Sequence, residues 1–164
     1  MSENYMNITL RPAVPEDATQ ISNVFLTSRK TFLTYAPSAH PDEGVLNYIK
    51  YLVSKGDLTV ALVGEKISGF LAVSKHEEFG DIDQLYLNPD AVGIGIGSQL
   101  VDYAKAILGS PIRLYTFQQN TGARRFYECH GFVAIQFTDG STNEERCPDV
   151  LYEWKAAEAH SNES

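Results

Sequence analysis

The chain of 164 residues has few cysteines, few basic side chains and no long hydrophobic run. Its two cysteines, Cys129 and Cys147, lack the paired Cys/His spacing of a zinc site, which predicts a reduced compartment and no structural metal. No run of about eighteen apolar residues occurs, and residues 1–6 lack the basic and apolar regions of a signal peptide. We therefore expect a cytoplasmic protein that does not enter a membrane.

The charge balance is acidic, with 13 Lys and Arg side chains against 21 Asp and Glu and a formal net charge of −8. Nucleic-acid binding depends on clustered Lys and Arg that neutralise phosphates, and the sequence contains no such cluster. We therefore expect no nucleic-acid partner. The same acidity favours the approach of a cationic ligand, although net charge governs steering more than specificity.

The hydrophobic pattern predicts alternating strands and helices in a single domain, without internal repeats or a linker. The predicted strands span 7–12, 58–64, 67–75, 80–87, 112–117, 132–138 and 149–155, and the predicted helices span 15–30, 41–54, 96–108 and 120–130. Residues 63–69 separate two apolar runs as a hairpin does, so part of the sheet is expected to be antiparallel. In the third helix, the apolar positions 100, 101, 104, 107 and 108 predict a stripe that packs on the sheet, and Gly109 with Pro111 ends the helix.

The most informative segment runs from Leu85 to Leu100, where Pro89 ends a strand-like run and Gly93, Gly95 and Gly97 lead into a helix. Glycine lets the backbone approach a ligand closely, and the first N–H groups of a helix lack internal partners and carry the positive end of its dipole. A phosphate or pyrophosphate fits such a cradle. Taken alone, the glycine run is a weak signal, and an ordinary glycine-rich turn is the alternative.

The spacing of this segment disfavours two common phosphate ligands. A Walker loop needs Gly-Lys-Ser/Thr, whereas here no lysine follows the glycines until Lys105. The dinucleotide fingerprint places glycines at relative positions one, three and six, but Ser98 stands where the last of them belongs. ATP and NAD are therefore disfavoured.

A second informative segment, Asn120 to Phe132, reads Asn-Thr-Gly-Ala-Arg-Arg-Phe-Tyr-Glu-Cys-His-Gly-Phe. The order strand, Pro-x-x-x-Gly-x-Gly-x-Gly, helix, strand, Asn-x-x-Ala-x-x-Phe-Tyr-Glu-x-x-Gly-Phe resembles the GNAT superfamily of acyl-CoA-dependent N-acetyltransferases. The opening segment 8–18 is also similar to the first strand and helix of that family, so the resemblance runs from about residue 7 to about residue 155. It implies one α/β (α+β) domain over 1–157, with a mixed, mostly antiparallel sheet of about seven strands, about four helices, and a flexible polar tail at 158–164.

The resemblance implies acetyl-CoA as cosubstrate and no metal. The family's pyrophosphate loop reads Gln/Arg-x-x-Gly-x-Gly/Ala, which places its Gln/Arg position on Val92. Because the family binds pyrophosphate mainly through main-chain N–H groups, we expect the cradle to persist with one side-chain contact fewer. Asn120 is either a helix N-cap or a contact of the pantetheine arm, and the two roles are compatible. The implied cofactor-binding residues are Leu85, Tyr86, Leu87, Val92, Gly93, Ile94, Gly95, Ile96, Gly97, Ser98 and Asn120.

Tyr127 stands where the family commonly has its general acid. A phenol with a pKa of about 10 is protonated at neutral pH and can donate to a departing thiolate; the alternative role is aromatic packing on the helix. Strand alternation places Asp81 and Asp83 on the face of Leu85 and Leu87. The family often has an acid here that deprotonates the amine through a water, and we prefer Asp83, with a solvated strand end or an ion pair as the alternative.

The loop at residues 139–149 contains four acids and is predicted to close over a cationic acceptor, chiefly through Glu144 and Glu145, unless it is only a solvated surface. Residues 30–43 match the family's variable substrate loop, where Phe32 and Tyr35 either line a pocket or pack. Three histidines have no partner at catalytic or metal-binding spacing and are assigned no role, namely His76, His130 and His160.

The resemblance therefore implies direct transfer of an acetyl group from acetyl-CoA to a primary amine of a cationic acceptor, either a small molecule or a peptide. A homodimer is compatible with it. A non-catalytic module that binds or senses acyl-CoA is the alternative from another class. The sequence does not identify the acceptor or the preferred acyl chain.

Overall fold

Seven strands and four helices make up the computed structural model, which describes residues 7–35 and 42–157. The strands are β1 (Ile8–Pro12), β2 (Leu58–Val63), β3 (Lys66–Lys75), β4 (Gly80–Leu87), β5 (Ile112–Phe117), β6 (Val133–Phe137) and β7 (Asp149–Trp154). The helices are α1 (Ala18–Phe32), α2 (Asp42–Lys55), α3 (Ile96–Leu108) and α4 (Thr121–Cys129), and short 3-10 turns precede α1 and α3. Every predicted strand and helix is present. The first predicted helix starts instead as the 3-10 turn Pro15–Asp17.

The strands form one sheet in the order β1-β2-β3-β4-β5-β7-β6. All neighbours are antiparallel except β4 and β5, which run parallel. Strands β2 and β3 form the expected hairpin, with Val63 paired to Lys66 across its turn. The prediction of a mixed, mostly antiparallel sheet with helices around it is confirmed.

Two hydrophobic clusters form the core, one for each pair of helices. The first joins α3 to β5 and β7, with Leu100, Ala104, Ile112 and Val150 among its fully buried members. The second packs α1 and α2 on β2 and β3. The predicted stripe of α3 is buried except for Ile107, which is 44% exposed. Ile107 lies at the margin of the stripe, so the prediction that it belongs to the core is wrong.

Strands β4 and β5 separate soon after they begin. Gly80 pairs with Ile112 and Asp81 with Arg113, and no further pairs follow between the two strands. Along the rest of β4, the main-chain groups that face β5 take part in no ladder. The sheet is therefore split from Ile82 onward, and a cleft opens between its two halves.

A β-bulge in β4 changes which side chains share a face. Val73 of β3 pairs with Ile82 and Ala72 pairs with Gln84, so Asp83 has no partner. An unpaired residue shifts the alternation of everything that follows it. Ile82, Leu85 and Leu87 consequently all pack with the α3 cluster. The prediction that Asp81 and Asp83 share a face with Leu85 and Leu87 is wrong, because both aspartates flank Ile82 and lie on the α2 side.

Some predictions concern residues outside the described ranges. They include the polar tail at 158–164, His160, residues 36–41 of the predicted substrate loop and residues 1–6. Within residues 7–35 and 42–157, none of the helices combines the length and the apolarity that a membrane crossing requires.

Candidate active site

The turn between β4 and α3 presents a row of unused hydrogen-bond donors. Six consecutive main-chain N–H groups, from Gly93 to Ser98, donate to no other group in the described part of the chain. The first bond that closes the helix is from the N–H of Gln99 to the carbonyl of Gly95, at 3.1 Å. Unsatisfied donors at the positive end of a thirteen-residue helix attract an anion. We call the stretch from Val92 to Ser98 the anion cradle.

Two glycines are required in the anion cradle for different reasons. Gly95, the N-cap of α3, has φ +99°, a backbone conformation that side chains with a Cβ rarely adopt. Gly97 lies inside the first turn of α3, where an added Cβ would stand 3.1 Å from Cζ of Phe126. Phe126 belongs to α4, so the absence of a side chain at Gly97 lets the two helices approach each other beside the cradle.

The anion cradle opens into a cavity of about 620 Å³. Its wall contains Ser28 and Phe32 of α1 and Leu33, which directly follows α1. Residues 85–87 of β4, most of the anion cradle and residues of α4 complete the wall. A smaller cavity of about 120 Å³ lies between the separated strands β4 and β5. The two cavities share the wall residues Leu33, Leu85, Tyr86, Asn120, Ala123 and Tyr127. One continuous wall therefore connects the cradle to the split in the sheet.

Asn120 and Tyr127 bring α4 to this wall. The side-chain oxygen of Asn120 accepts a hydrogen bond from the N–H of Ala123 at 3.1 Å, so the predicted N-cap is present, and the residue also lines both cavities. Tyr127 is 8% exposed and packs against Phe126, Phe132 and Tyr152. Within the described residues its hydroxyl makes no hydrogen bond. Burial raises the pKa of Tyr127 far above that of an ordinary phenol, so the group is a proton donor throughout the neutral range.

The two candidate bases differ in their surroundings. Oδ2 of Asp81 lies 2.8 Å from Nε2 of His76, and Asp81 lines neither cavity. Asp83, at the bulge, lines the smaller cavity. Although solvent reaches its side chain, desolvation raises its pKa, and the nearby Ser74 hydroxyl opposes that shift. Asp83 therefore has the better position, and His76, to which the sequence assigned no role, is the partner of Asp81.

Side chains from α2, β4 and the loop at residues 139–149 come together beside the split in the sheet. Gln84 donates to the hydroxyl of Tyr48 at 3.0 Å. Burial raises the pKa of Tyr48, and the negative charges of Asp83 and Glu144 add to that shift, so both carboxylates lie near the phenol. These four groups form what we call the Tyr48 cluster: Tyr48, Gln84, Asp83 and Glu144.

Glu145 forms an ion pair with a buried arginine. Its carboxylate lies 3.8 Å from Nη2 of Arg29, a residue that is only 8% exposed. Arg29 also donates to the hydroxyl of Tyr86 at 3.1 Å. The charge of Glu145 is therefore largely balanced within the protein. The ion pair also holds this part of the acidic loop, residues 139–149, against the end of α1.

The loop itself is held in shape by Asn143. Its side chain bonds the N–H of Cys147 at 3.1 Å, the carbonyl of Cys147 at 2.7 Å and the carboxylate of Asp149 at 3.1 Å. Asp149 also accepts a hydrogen bond from Thr138. The loop is therefore a packed structure at the end of the sheet.

The structure separates the two aromatic residues that were expected to line one pocket. Phe32, 44% exposed, is in the wall of the larger cavity, near the anion cradle. Tyr35 packs edge-on against Phe117, with ring centroids 6.1 Å apart. Its buried hydroxyl has no hydrogen-bond partner in the described ranges, and burial raises its pKa to about 12. Tyr35 thus lies beside the acidic loop and Phe32 does not.

Sequence reasoning missed Arg29, Tyr48, Gln84 and the pairing of Ser98 with His130, whose Oγ and Nε2 are 3.1 Å apart. No signal along the chain could have found these contacts, because each joins residues more than 30 positions apart. Within the described residues, no group of three or more His, Cys, Asp and Glu side chains is placed to hold a metal ion.

The chain is similar to known acetyltransferases in sequence and in structure. The sequence model of the acetyltransferase (GNAT) family matches residues 25–132. An uncharacterized N-acetyltransferase of Archaeoglobus fulgidus is 29% identical over 131 residues, which cover 72% of this chain and 88% of that protein. A GNAT-family acetyltransferase from Bacillus cereus has the same fold, with a TM-score of 0.73 at 18% identity, covering 92% of this chain and 99% of its own.

The PaiA N-acetyltransferase of Thermoplasma acidophilum, solved in complex with coenzyme A, also gives a TM-score of 0.73, at 25% identity, covering 91% of this chain and 99% of its own. The split sheet, the cradle and these likenesses together define an acetyl-transferring enzyme. The chain belongs to the acetyltransferase (GNAT) family, whose model matches most of its length.

Proposed function

We propose that this protein transfers an acetyl group from acetyl-CoA directly to a primary amine of a cationic acceptor. The observation that carries the proposal is the continuous wall that joins six unused N–H donors to Tyr127 and the split between β4 and β5. A ligand that places an anion on the cradle and a reacting carbonyl in the split must be long. A phosphorylated thioester has that length, whereas a compact nucleotide does not. The coenzyme A bound to the PaiA N-acetyltransferase is the free thiol of such a thioester.

The donor would lie along the larger cavity. The N–H groups from Gly93 to Ser98 would bind its pyrophosphate, and Asn120 would contact the pantetheine arm from the wall that it shares between the cavities. Residues Leu85 to Leu87 line the same cavity, and their main-chain groups on the β5 side are not used in a ladder. These groups would orient the thioester carbonyl and stabilise negative charge on its oxygen.

Tyr127 would serve the departing sulfur. When the amine nitrogen attacks the thioester carbon, a carbon–nitrogen bond forms, the carbon–sulfur bond breaks and its electron pair passes to sulfur. The Tyr127 hydroxyl makes no hydrogen bond within the described residues, so it would not have to break one to donate its proton to that sulfur. It would then take a proton back from solvent. Its raised pKa keeps it protonated until the moment of transfer.

Asp83 would receive, through a water molecule, the proton that the acceptor ammonium must lose before its nitrogen can attack, since Asp83 lines the cavity between the strands. The Tyr48 cluster would bind the rest of the acceptor, because it combines a phenol and an amide with two carboxylates that favour a cation. Glu144 and Glu145, the latter paired with Arg29, are the carboxylates of the acidic loop that would add to this preference. A cationic acceptor is therefore favoured over a neutral or anionic one.

Thermal melting tests the donor. Acetyl-CoA at millimolar concentration should raise the melting temperature in the presence of a chelator, because a ligand that binds only the folded state stabilises it. Gly95→Val should abolish that shift. Gly56→Val is the matched control, since Gly56 also has positive φ and open space around it but lies after α2, away from the cradle.

A thiol-release assay with acetyl-CoA and a panel of mono-, di- and polyamines, amino acids and peptides tests the transfer. Turnover should be fastest with acceptors that carry a second positive charge. A melting shift with ATP and magnesium but none with acetyl-CoA would refute the proposal. A shift with acetyl-CoA and no thiol release from any amine would indicate a module that only binds acyl-CoA.

A further inference from the structure

We propose that Ser98 and His130 act as a pair in pyrophosphate binding, with His130 positioning the Ser98 hydroxyl so that it donates to a phosphate oxygen. Oγ of Ser98 lies 3.1 Å from Nε2 of His130. Ser98 lines the larger cavity, and its N–H is the last of the six unused donors of the anion cradle. The proposal rests on the proposed function, because it assumes that the cradle holds the pyrophosphate of CoA.

His130 is fixed from several directions at the end of α4. Its N–H donates to the carbonyl of Tyr127 at 3.0 Å, and its own carbonyl accepts from Nζ of Lys105 at 2.7 Å. Its ring packs on Phe126, with centroids 4.6 Å apart. Phe126 is the same ring that contacts Gly97. The imidazole is therefore held against the cradle by contacts from both α3 and α4.

The direction of the Ser98–His130 hydrogen bond decides what the hydroxyl can do. A hydroxyl has a single proton to donate but can accept two hydrogen bonds. If Nε2 of His130 carries a proton and donates to Oγ, the Ser98 proton is free to point into the cavity. Phosphate oxygens only accept hydrogen bonds, so an occupied cradle favours this arrangement.

The pair would supply a contact that position 92 lacks. Val92 is 53% exposed and lines the cavity, but its side chain has no donor. The related family pattern places Gln or Arg there. The Ser98 hydroxyl, oriented by a residue from another helix, is a side-chain donor on the same turn. The cradle would thus bind pyrophosphate through main-chain groups and this one hydroxyl.

Calorimetric titration of CoA into the parent and five variants tests the pair. Ser98→Ala and His130→Leu should each weaken CoA about tenfold, which is the usual effect of losing a hydrogen bond to a charged group. The double variant should bind no worse than either single variant, because the two residues act as one unit. His130→Gln, which keeps an N–H donor of similar reach, should recover most of the affinity. His76→Leu is a control for the loss of a histidine away from the cradle.

A second measurement separates positioning from a general structural role. S-acetylpantetheine has the thioester but no pyrophosphate, so its Michaelis constant should be the same in the parent and in both single variants. If its constant rises as much as that of acetyl-CoA, or if the two single losses add in the double variant, His130 merely supports α4 and the proposal falls. If the parent binds CoA and the variants bind it equally well, only the pair is refuted. If the parent does not bind CoA, the proposed function fails as well.

Discussion

The sharpest test of the proposed chemistry is Tyr127→Phe, which keeps the ring and removes only the hydroxyl. The ring makes the packing contacts with Phe126, Phe132 and Tyr152, and the hydroxyl makes no hydrogen bond within the described residues. Deleting it therefore leaves no buried group without a partner, and stability should change by less than about 0.5 kcal/mol.

The effect on turnover should be far larger. Loss of a positioned general acid costs about a hundredfold, which corresponds to about 2.7 kcal/mol of transition-state stabilisation. The dissociation constant of acetyl-CoA should stay nearly the same, because the proton is transferred only as the carbon–sulfur bond breaks. The assay is thiol release under saturating substrates, with calorimetry for binding and melting for stability.

Tyr152→Phe is the matched control. Tyr152 is fully buried, its ring lies 6.4 Å from that of Tyr127, and it lines neither cavity. Its hydroxyl donates to Glu128 at 2.7 Å and accepts from Arg124 at 3.0 Å, so its removal should lower stability by about 1–2 kcal/mol while turnover changes little. A Tyr127→Phe variant within about threefold of the parent in turnover would refute the acid role and favour a thiolate stabilised by main-chain N–H groups.

Three further predictions concern the cradle, the acceptor and the base. Gly97→Ala should lower stability by about 1–3 kcal/mol in melting experiments and weaken CoA in calorimetry, since its Cβ forces the neighbouring aromatic ring away; an unchanged CoA affinity would contradict this. Replacing both Glu144 and Glu145 by Gln should raise the Michaelis constant of the amine, more at low than at high salt, while that of acetyl-CoA stays the same; unchanged amine kinetics would show that the loop is only a solvated surface. Asp83→Asn should remove the acidic limb of the pH–rate profile, which reflects a carboxylate of raised pKa whose protonation abolishes the base, whereas Asp81→Asn should keep that limb.

Local sequence signals predicted most of the fold. Pro89 and the glycines after it marked the end of β4 and the start of α3, Gly109 marked the end of α3, and Asn120 capped α4. These features depend on residues that are adjacent along the chain. The bulge at Asp83 gave no comparable signal, because an extra residue in a strand leaves the composition unchanged and alters only the register with its neighbour.

The candidate site could be predicted only in part, for the same physical reason. The anion cradle and Tyr127 lie in short motifs, whereas the acceptor side is built by contacts between distant residues. Arg29 and Tyr86 are 57 positions apart, and Tyr48 and Gln84 are 36 apart. The sequence marked the acidic loop as a candidate acceptor element, but the ion pair of Glu145 with the buried guanidinium of Arg29 depends on packing between distant segments.

The split between β4 and β5 also bears on how this molecule opens. Only two residue pairs connect the half formed by β1 to β4 with the half formed by β5 to β7, so the main-chain hydrogen bonds across the middle of the sheet are few. Amides of β4 that face β5 should exchange with deuterium faster than those that face β3. A ligand that bridges the two inner edges would slow that exchange. Bound acetyl-CoA would therefore connect the two halves of the sheet. The cosubstrate would then contribute to the stability of the fold as well as to the reaction.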